Sequence, residues 1–295
     1  MLFGCLPALC FAVASAAPPD SLASASFELH KHAIFVKASL GGSPPLEMLL
    51  DSGSARTTLD EDVARKLGFD LSMKAQSTGA RGLQEISAIK DQTLRLAGLE
   101  VTEPVTVVYS LDFLSKALGH RLDGIVGVEM FRKYVMEIDY AARQLRVFAP
   151  ESYSYAGGGE VVAVTCDRRL PLVAGTVTPF GRPPVQTRFQ IDTGAVGTNV
   201  ALWKRFADDH DLMSGARDLK ETDSFGFGGA MPAKEGTIER IDIGHLAVDA
   251  PQVRFVQMGD GSVFGGNLGS SFLERFKVVF DLPHDCMIFE RAAQP

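Results

Sequence analysis

The chain repeats itself, and that repeat limits the fold more than anything else in its 295 residues. The stretch Leu49-Leu50-Asp51-Ser52-Gly53-Ser54 returns as Gln190-Ile191-Asp192-Thr193-Gly194-Ala195, an offset of 141 from Asp51 to Asp192. Ile125-Val126-Gly127 returns as Asn267-Leu268-Gly269, and the run Tyr134 to Asp139 returns as Phe276 to Asp281, both at an offset of 142. Leu94 to Val108 resembles Glu239 to Val256, and Pro44-Pro45 has a counterpart in Pro183-Pro184. Ordered matches at a nearly constant offset predict two homologous lobes. The first spans 24–152 and the second 161–295, with a linker at 153–160 that holds Gly157-Gly158-Gly159.

Local patterning within each lobe predicts a mainly β fold. Phe35 to Leu40 and Leu46 to Leu50 are short apolar runs split by Gly41-Gly42-Ser43-Pro44, the signature of a hairpin. Tyr134, Met136 and Ile138 alternate as one face of a strand does, and a turn at Tyr140 to Arg143 leads into Leu145, Val147 and Phe148. The second lobe copies this with its turn at Pro283-His284-Asp285. One helix is predicted after Thr58, which stands three residues before Glu61 as in a capping box; Leu59, Val63 and Leu67 follow on one face and Gly68 ends it. Phe272, Phe276 and Phe280 are expected in the core.

The first 17 residues read as a signal peptide, because Leu2 to Ala14 is almost wholly apolar and Ala14-Ser15-Ala16 suits signal peptidase. No Lys or Arg stands beside Met1, and a lipid anchor at Cys5 or Cys10 is the weaker alternative. The expected location is therefore periplasmic or extracellular, without stable membrane insertion. A formal charge of -7 without a basic cluster argues against a nucleic-acid partner. Removal of the signal leaves Cys166 and Cys286, which an oxidising compartment would permit to form a disulfide; two unpaired thiols are the other reading.

Asp-Ser/Thr-Gly alone is a weak motif, but here both copies follow a hydrophobic strand at equivalent places in the repeat. A pseudo-two-fold relation between lobes would bring Asp51 and Asp192 to one point. Two adjacent carboxylates cannot both ionise, so they share a proton. The charged member can act as general base on a water, and the protonated member can bond a substrate carbonyl and stabilise its oxyanion. Gly53 and Gly194 are expected to allow tight turns that aim backbone N–H groups at the carboxylates. Ser52 and Thr193 offer hydroxyls to tie the two loops together across the axis.

With those residues in place, the sequence resembles the pepsin-like and retropepsin-like aspartic proteases, as a two-lobed, bacterial-type member, from about Phe27 to Phe289. The resemblance implies two acid-protease-like β-barrel lobes with a cleft between them. It also implies catalysis by Asp51 and Asp192, and support of each catalytic loop by the hydrophobic-hydrophobic-Gly elements ending at Gly127 and Gly269. Departures are informative. Pepsins carry a tyrosine in the first-lobe flap, whereas Gln76 to Glu85 has none and presents Thr78, Gly79 and Gly82 at its tip. The matching second-lobe stretch, Ser224 to Ala230, is also glycine-rich and carries Phe225 and Phe227, so both lobes are expected to contribute a flap that lines the substrate site. Ser54 faces Ala195 in the repeat, which predicts Asp51 as the more acidic partner and a mildly acidic optimum.

Other chemistries fit less well. The six histidines form no metal-ligand constellation, and His30 and His32 read as solvated strand residues. Ser52 and Ser54 lack a nucleophile elbow, and Gly226, Gly228 and Gly229 complete no dinucleotide fingerprint. The expected activity is that of an aspartic endopeptidase acting on an extended peptide or protein, with water as nucleophile and without metal or cofactor. The alternative is a catalytically inactive peptide-binding protein of the same fold. Two internal lobes make a second copy unnecessary for building the site, which favours a monomer.

Overall fold

The structure is a computed structural model that describes residues 20–79, 82–257 and 264–291. The proposed signal peptide 1–17, with Cys5 and Cys10, lies outside these residues.

Both lobes are built from strands whose pairing starts in the hairpins read from sequence. Ala33–Leu40 pairs antiparallel with Leu46–Leu50, joined by a turn in which Gly41 and Gly42 take positive φ. Leu46–Leu50 then runs parallel to Gly124–Val126, which pairs with Thr58–Asp60, followed in the sheet by Leu99–Tyr109 and Gly82–Leu96. A further pairing of Leu40 with Leu94 brings Gly82–Leu96 back to Ala33–Leu40 and closes this sheet on itself. The second lobe repeats the plan. Leu170–Thr178 pairs with Val185–Ile191, which runs parallel to Gly266–Leu268, itself paired with Val200–Trp203.

A six-stranded antiparallel layer joins the lobes, in the order Ala23–Ser26, Gln144–Phe148, Val135–Asp139, Phe276–Asp281, Cys286–Arg291, Glu160–Asp167. Its centre reveals the symmetry. Glu137 and Val279 are equivalent in the repeat, 142 residues apart, and they pair with each other, so the pseudo-two-fold axis passes between them. Phe131 packs edge-on against Phe280 at 4.7 Å, and both are fully buried. Burial of two such side chains contributes about 3–6 kcal/mol to holding the lobes together. Phe272, Phe276 and Phe280 are all in the core, as expected.

Two details differ from the sequence reading. The helix Glu61–Lys66 is capped by Asp60, whose Oδ1 accepts from Asp62 N and Val63 N, rather than by Thr58. Thr58–Asp60 is extended because it pairs parallel with Val107, Val108 and Tyr109, so the helix starts later than the capping-box spacing implies. Gly68 does end it, at φ +79. The second correction concerns Cys166 and Cys286, which are both free. Cys286 pairs with Ala163 across the ladder, whereas Cys166 lies three residues further on and pairs with Pro171. That separation amounts to roughly 10 Å of strand, beyond the Cα spacing a disulfide spans.

The linker leads from the 3₁₀ turn Pro150–Ser152 to the strand Glu160–Asp167. Tyr155 pins it, its hydroxyl accepting from Gly159 N at 2.7 Å and donating to Glu290 Oε2 at 2.9 Å.

Candidate active site

Each aspartate follows a strand held by a parallel neighbour. Leu50 is paired with Val126, and Asp51 N donates to Val126 O at 2.9 Å; Ile191 is paired with Leu268, and Asp192 N donates to Leu268 O at 3.0 Å. The hydrophobic-hydrophobic-Gly elements thus support the loop of their own lobe. Gly127 and Gly269 follow because the returning loop backbones, at Arg56–Thr57 and at Ala195 and Thr198, occupy the space a Cβ would need.

The two loops are locked together by four reciprocal hydrogen bonds. Ser52 Oγ donates to Ile191 O at 2.8 Å and accepts from Thr193 N at 3.1 Å. Thr193 Oγ1 donates to Leu50 O at 2.8 Å and accepts from Ser52 N at 2.9 Å. Ser52 and Thr193 are fully buried, so no water competes for these bonds. This is the tie expected of the two hydroxyls.

Gly53 and Gly194 are needed for a different reason than the turn alone. Neither has a positive φ. A Cβ on Gly53 would collide with the Asp192 carboxyl group, and one on Gly194 with that of Asp51. Each glycine is the floor on which the opposite aspartate rests. Gly53 N does aim at Asp51 Oδ1, at 2.8 Å.

Asp51 and Asp192 come together across the axis, each against the glycine of the opposite loop. Both are enclosed by protein yet keep a partly exposed face toward the cleft. Burial pushes the Asp51 carboxyl well above its usual range and the Asp192 charge pushes it further, against opposing N–H bonds from Gly53 and Ser54. Burial also raises Asp192, but the Asn267 amide, the bond from Asp51 and the N–H groups of Ala195 and Gly194 all favour its charged form. More of the bonds around Asp192 than around Asp51 therefore favour a charge. The Ser54 hydroxyl, expected to stabilise a charge on Asp51, instead donates to Arg56 O at 2.8 Å and is spent on its own loop.

Three residues that sequence reasoning did not single out complete the site. Asn267 Nδ2 donates to Asp192 Oδ2 at 2.8 Å. Gln190 Nε2 donates to Gly53 O at 3.2 Å. Tyr109 is half-buried, and burial together with the nearness of Asp51 raises its pKa. The signal for Asn267 was its place at the head of an element that is otherwise hydrophobic.

Hairpins from both lobes reach the cleft. In the first, Lys74–Gly79 pairs with Gly82–Leu96, placing Thr78 opposite Leu83 and Gly79 opposite Gly82. In the second, Arg217–Gly226 pairs with Gly229–Thr237, leaving Phe227 and Gly228 at the tip. Phe227 crosses to the first lobe and packs edge-on against Tyr109 at 4.4 Å, while Gly228 approaches Gln84. Phe225 remains exposed. Beside these tips lies a cavity of about 540 Å³ lined mainly by the first lobe, with Lys74, Glu85, Tyr109 and Phe113, and closed by Phe227 and Gly228 of the second; neither Asp51 nor Asp192 lines it.

His30 and His32 serve other contacts: His30 stacks on His120 at 3.9 Å and His32 Nδ1 meets Glu274 of the other lobe at 2.8 Å. Among the described residues, no helix is long and apolar enough to cross a membrane.

Comparison with known proteins agrees with this geometry. Residues 36–130 match the model of a family described as aspartyl protease. No curated protein matches the chain. Among solved structures, the aspartic proteinase from Irpex lacteus superposes with a TM-score of 0.54 at 14% identity, covering 92% of this chain and 98% of that one. The fold is thus that of a two-lobed aspartic proteinase.

Proposed function

We propose that this chain, an aspartic protease by its first-lobe sequence and by its fold, is an endopeptidase that hydrolyses peptide bonds with water activated between Asp51 and Asp192. The observation that carries the reading is the pair of carboxyls from equivalent, interlocked loops, each resting against the glycine of the opposite loop. In the proposed step, Asp192 takes a proton from the water as its oxygen attacks the carbonyl carbon. Asp51 donates its proton to the carbonyl oxygen, giving a neutral tetrahedral diol. Collapse returns a proton from the diol to Asp51 and passes the one on Asp192 to the departing nitrogen, restoring both groups. No metal and no covalent intermediate enter this cycle.

An extended peptide would lie in the cleft beneath the two hairpins and add main-chain hydrogen bonds to their edges. The apolar Leu2 to Ala14 run supports export to the periplasm or beyond, and the site's assembly within one chain supports a monomer.

The test is cleavage of a mixed peptide library from about pH 3 to 7, with Asp51→Asn and Asp192→Asn beside the wild type and with or without pepstatin. We expect both substitutions to lower the rate by at least about 10²–10⁴-fold, the range for lost general acid–base catalysis. Cleavage that survives either change would refute the assignment. A folded wild type that binds peptides and cuts none would make the protein a binding module instead.

A further inference from the structure

We infer that Asn267 fixes the polarity of the aspartate pair, holding Asp192 as the carboxylate and leaving the shared proton on Asp51. The mechanistic half of this inference, in which Asp192 is the base and Asp51 the acid, rests on the hydrolytic reading above.

The argument begins with symmetry. Two equivalent loops on a pseudo-two-fold axis give a shared proton no preferred side unless the lobes differ near the carboxyls. They do differ. Gln190 and Asn267 are register partners on neighbouring parallel strands of the second lobe. Their counterparts in the first lobe, Leu49 and Ile125, are also register partners. Leu49 and Ile125 are buried in an apolar cluster with Phe35 and Leu111. The same two strand positions are therefore apolar beside Asp51 and polar beside Asp192.

Geometry sets the sense of the difference. Asn267 is buried, and its Nδ2 stands 2.8 Å from Asp192 Oδ2. Turned over, the amide would place its oxygen against the carboxylate and repel it. Among the described residues, no donor reaches Asn267 Oδ1, so nothing on that side holds the amide in place. A neutral donor aimed at one carboxyl of a pair stabilises the charge there and drives the proton to the other. The titratable groups facing Asp192 are Asp51 and, beyond it, Tyr109, which burial keeps neutral. Gln190 contributes differently: its amide holds Gly53 O at 3.2 Å, and Gly53 is the residue against which Asp192 rests. Asn267 is a positioning residue, acting on substrate only through Asp192.

The test reads the two titration steps of the pair by carboxyl-carbon NMR of the whole protein without substrate. In Asn267→Ile, which copies the first lobe, we expect the lower step to rise by about one to two pH units, ten- to hundredfold in proton affinity, the effect of losing one hydrogen bond to a charged group. In the wild type, the side-chain amide protons of Asn267 should shift with the lower step. If the variant does not fold, that wild-type signal decides the matter alone. An unmoved lower step in folded Asn267→Ile, or amide protons that follow the upper step, would overturn the inference. The acid limb of kcat/KM should move with the lower step. A protein that cleaves nothing yet titrates as expected would keep the inference and refute the protease reading; one that cleaves with unchanged titration in the variant would do the reverse.

Discussion

The most direct probe of the lobe junction is Thr193→Val, which keeps the side-chain shape and removes only the hydroxyl. Thr193 Oγ1 makes two of the four bonds across the axis, and its loss leaves Leu50 O and Ser52 N without that partner in a fully buried setting. An unsatisfied buried polar group costs about 1–3 kcal/mol, so the two groups together should cost about 2–6 kcal/mol in urea unfolding. Ser52→Ala removes the other two bonds and should cost a similar amount. The two sets of bonds are disjoint. The central layer joins the lobes independently through Met136, Glu137, Ile138 and Asp139, so the loops cannot simply separate and let water in. The double variant should therefore lose nearly the sum, about 4–12 kcal/mol, a large share of the 5–15 kcal/mol typical of a folded protein. Thr193→Val within about 0.5 kcal/mol of wild type would refute the view that these bonds are dry and obligatory. A double variant no worse than the worse single one would refute the rigid junction.

Three further outcomes are expected. Asp51 and Asp192 bind protons more tightly when folded than at their ordinary value of 3.8, so their contribution to stability is full below that pH and is lost as pH rises through the folded values. The stability difference, wild type minus Asp51→Asn, should fall with rising pH above about 4 at up to about 1.4 kcal/mol per unit, and a flat or rising difference in urea titrations would contradict this. Burial and the Asp281 charge push the Cys286 thiol up to about 11, so alkylation near neutral pH should leave it roughly 100-fold slower than an ordinary thiol; mass spectrometry of the labelled peptides checks this, and reductant should not change the melting temperature. Phe227→Ala removes the ring contact with Tyr109 across the cleft, a contact of about 0.5–1.5 kcal/mol, so amide exchange in Arg217–Thr237 should speed up by about three- to tenfold, and unchanged exchange would mean that the contact does not hold the tip.

Much of the fold was legible because the repeat carried it. Gly41-Gly42 and Pro283 marked turns at backbone positions that few other residues tolerate, and alternation in Met136 and Ile138 marked a strand whatever its partner. The layer joining the lobes was not legible. The repeat shows Glu137 and Val279 as equivalent, but nothing in the sequence says that equivalents meet across an axis. The capping box at Thr58 failed because a parallel partner, Val107, keeps Thr58 extended, and local spacing cannot register a strand that arrives from 49 residues away. The cysteines were undecided for the same reason: their residue types permitted a bridge or two free thiols, and only the register of Cys286 with Ala163 separates the two.

The candidate site was legible in its paired aspartates and illegible in what surrounds them. One proton shared between equivalent carboxyls requires a difference between the lobes, and the repeat displays three near the pair: Ser54 against Ala195, Leu49 against Gln190, and Ile125 against Asn267. The first looked decisive because it adjoins the aspartate. It is not, since a serine hydroxyl two residues from a carbonyl finds Arg56 O before it finds the carboxylate. Asn267 lies 75 residues from Asp192 and reaches it only because Gly266–Leu268 runs parallel to Val185–Ile191, in the register that aligns Asn267 with Gln190. A mismatch within a duplicated chain matters according to where the sheet carries it, and the polar residue furthest from the aspartate in sequence is the one that touches its charge.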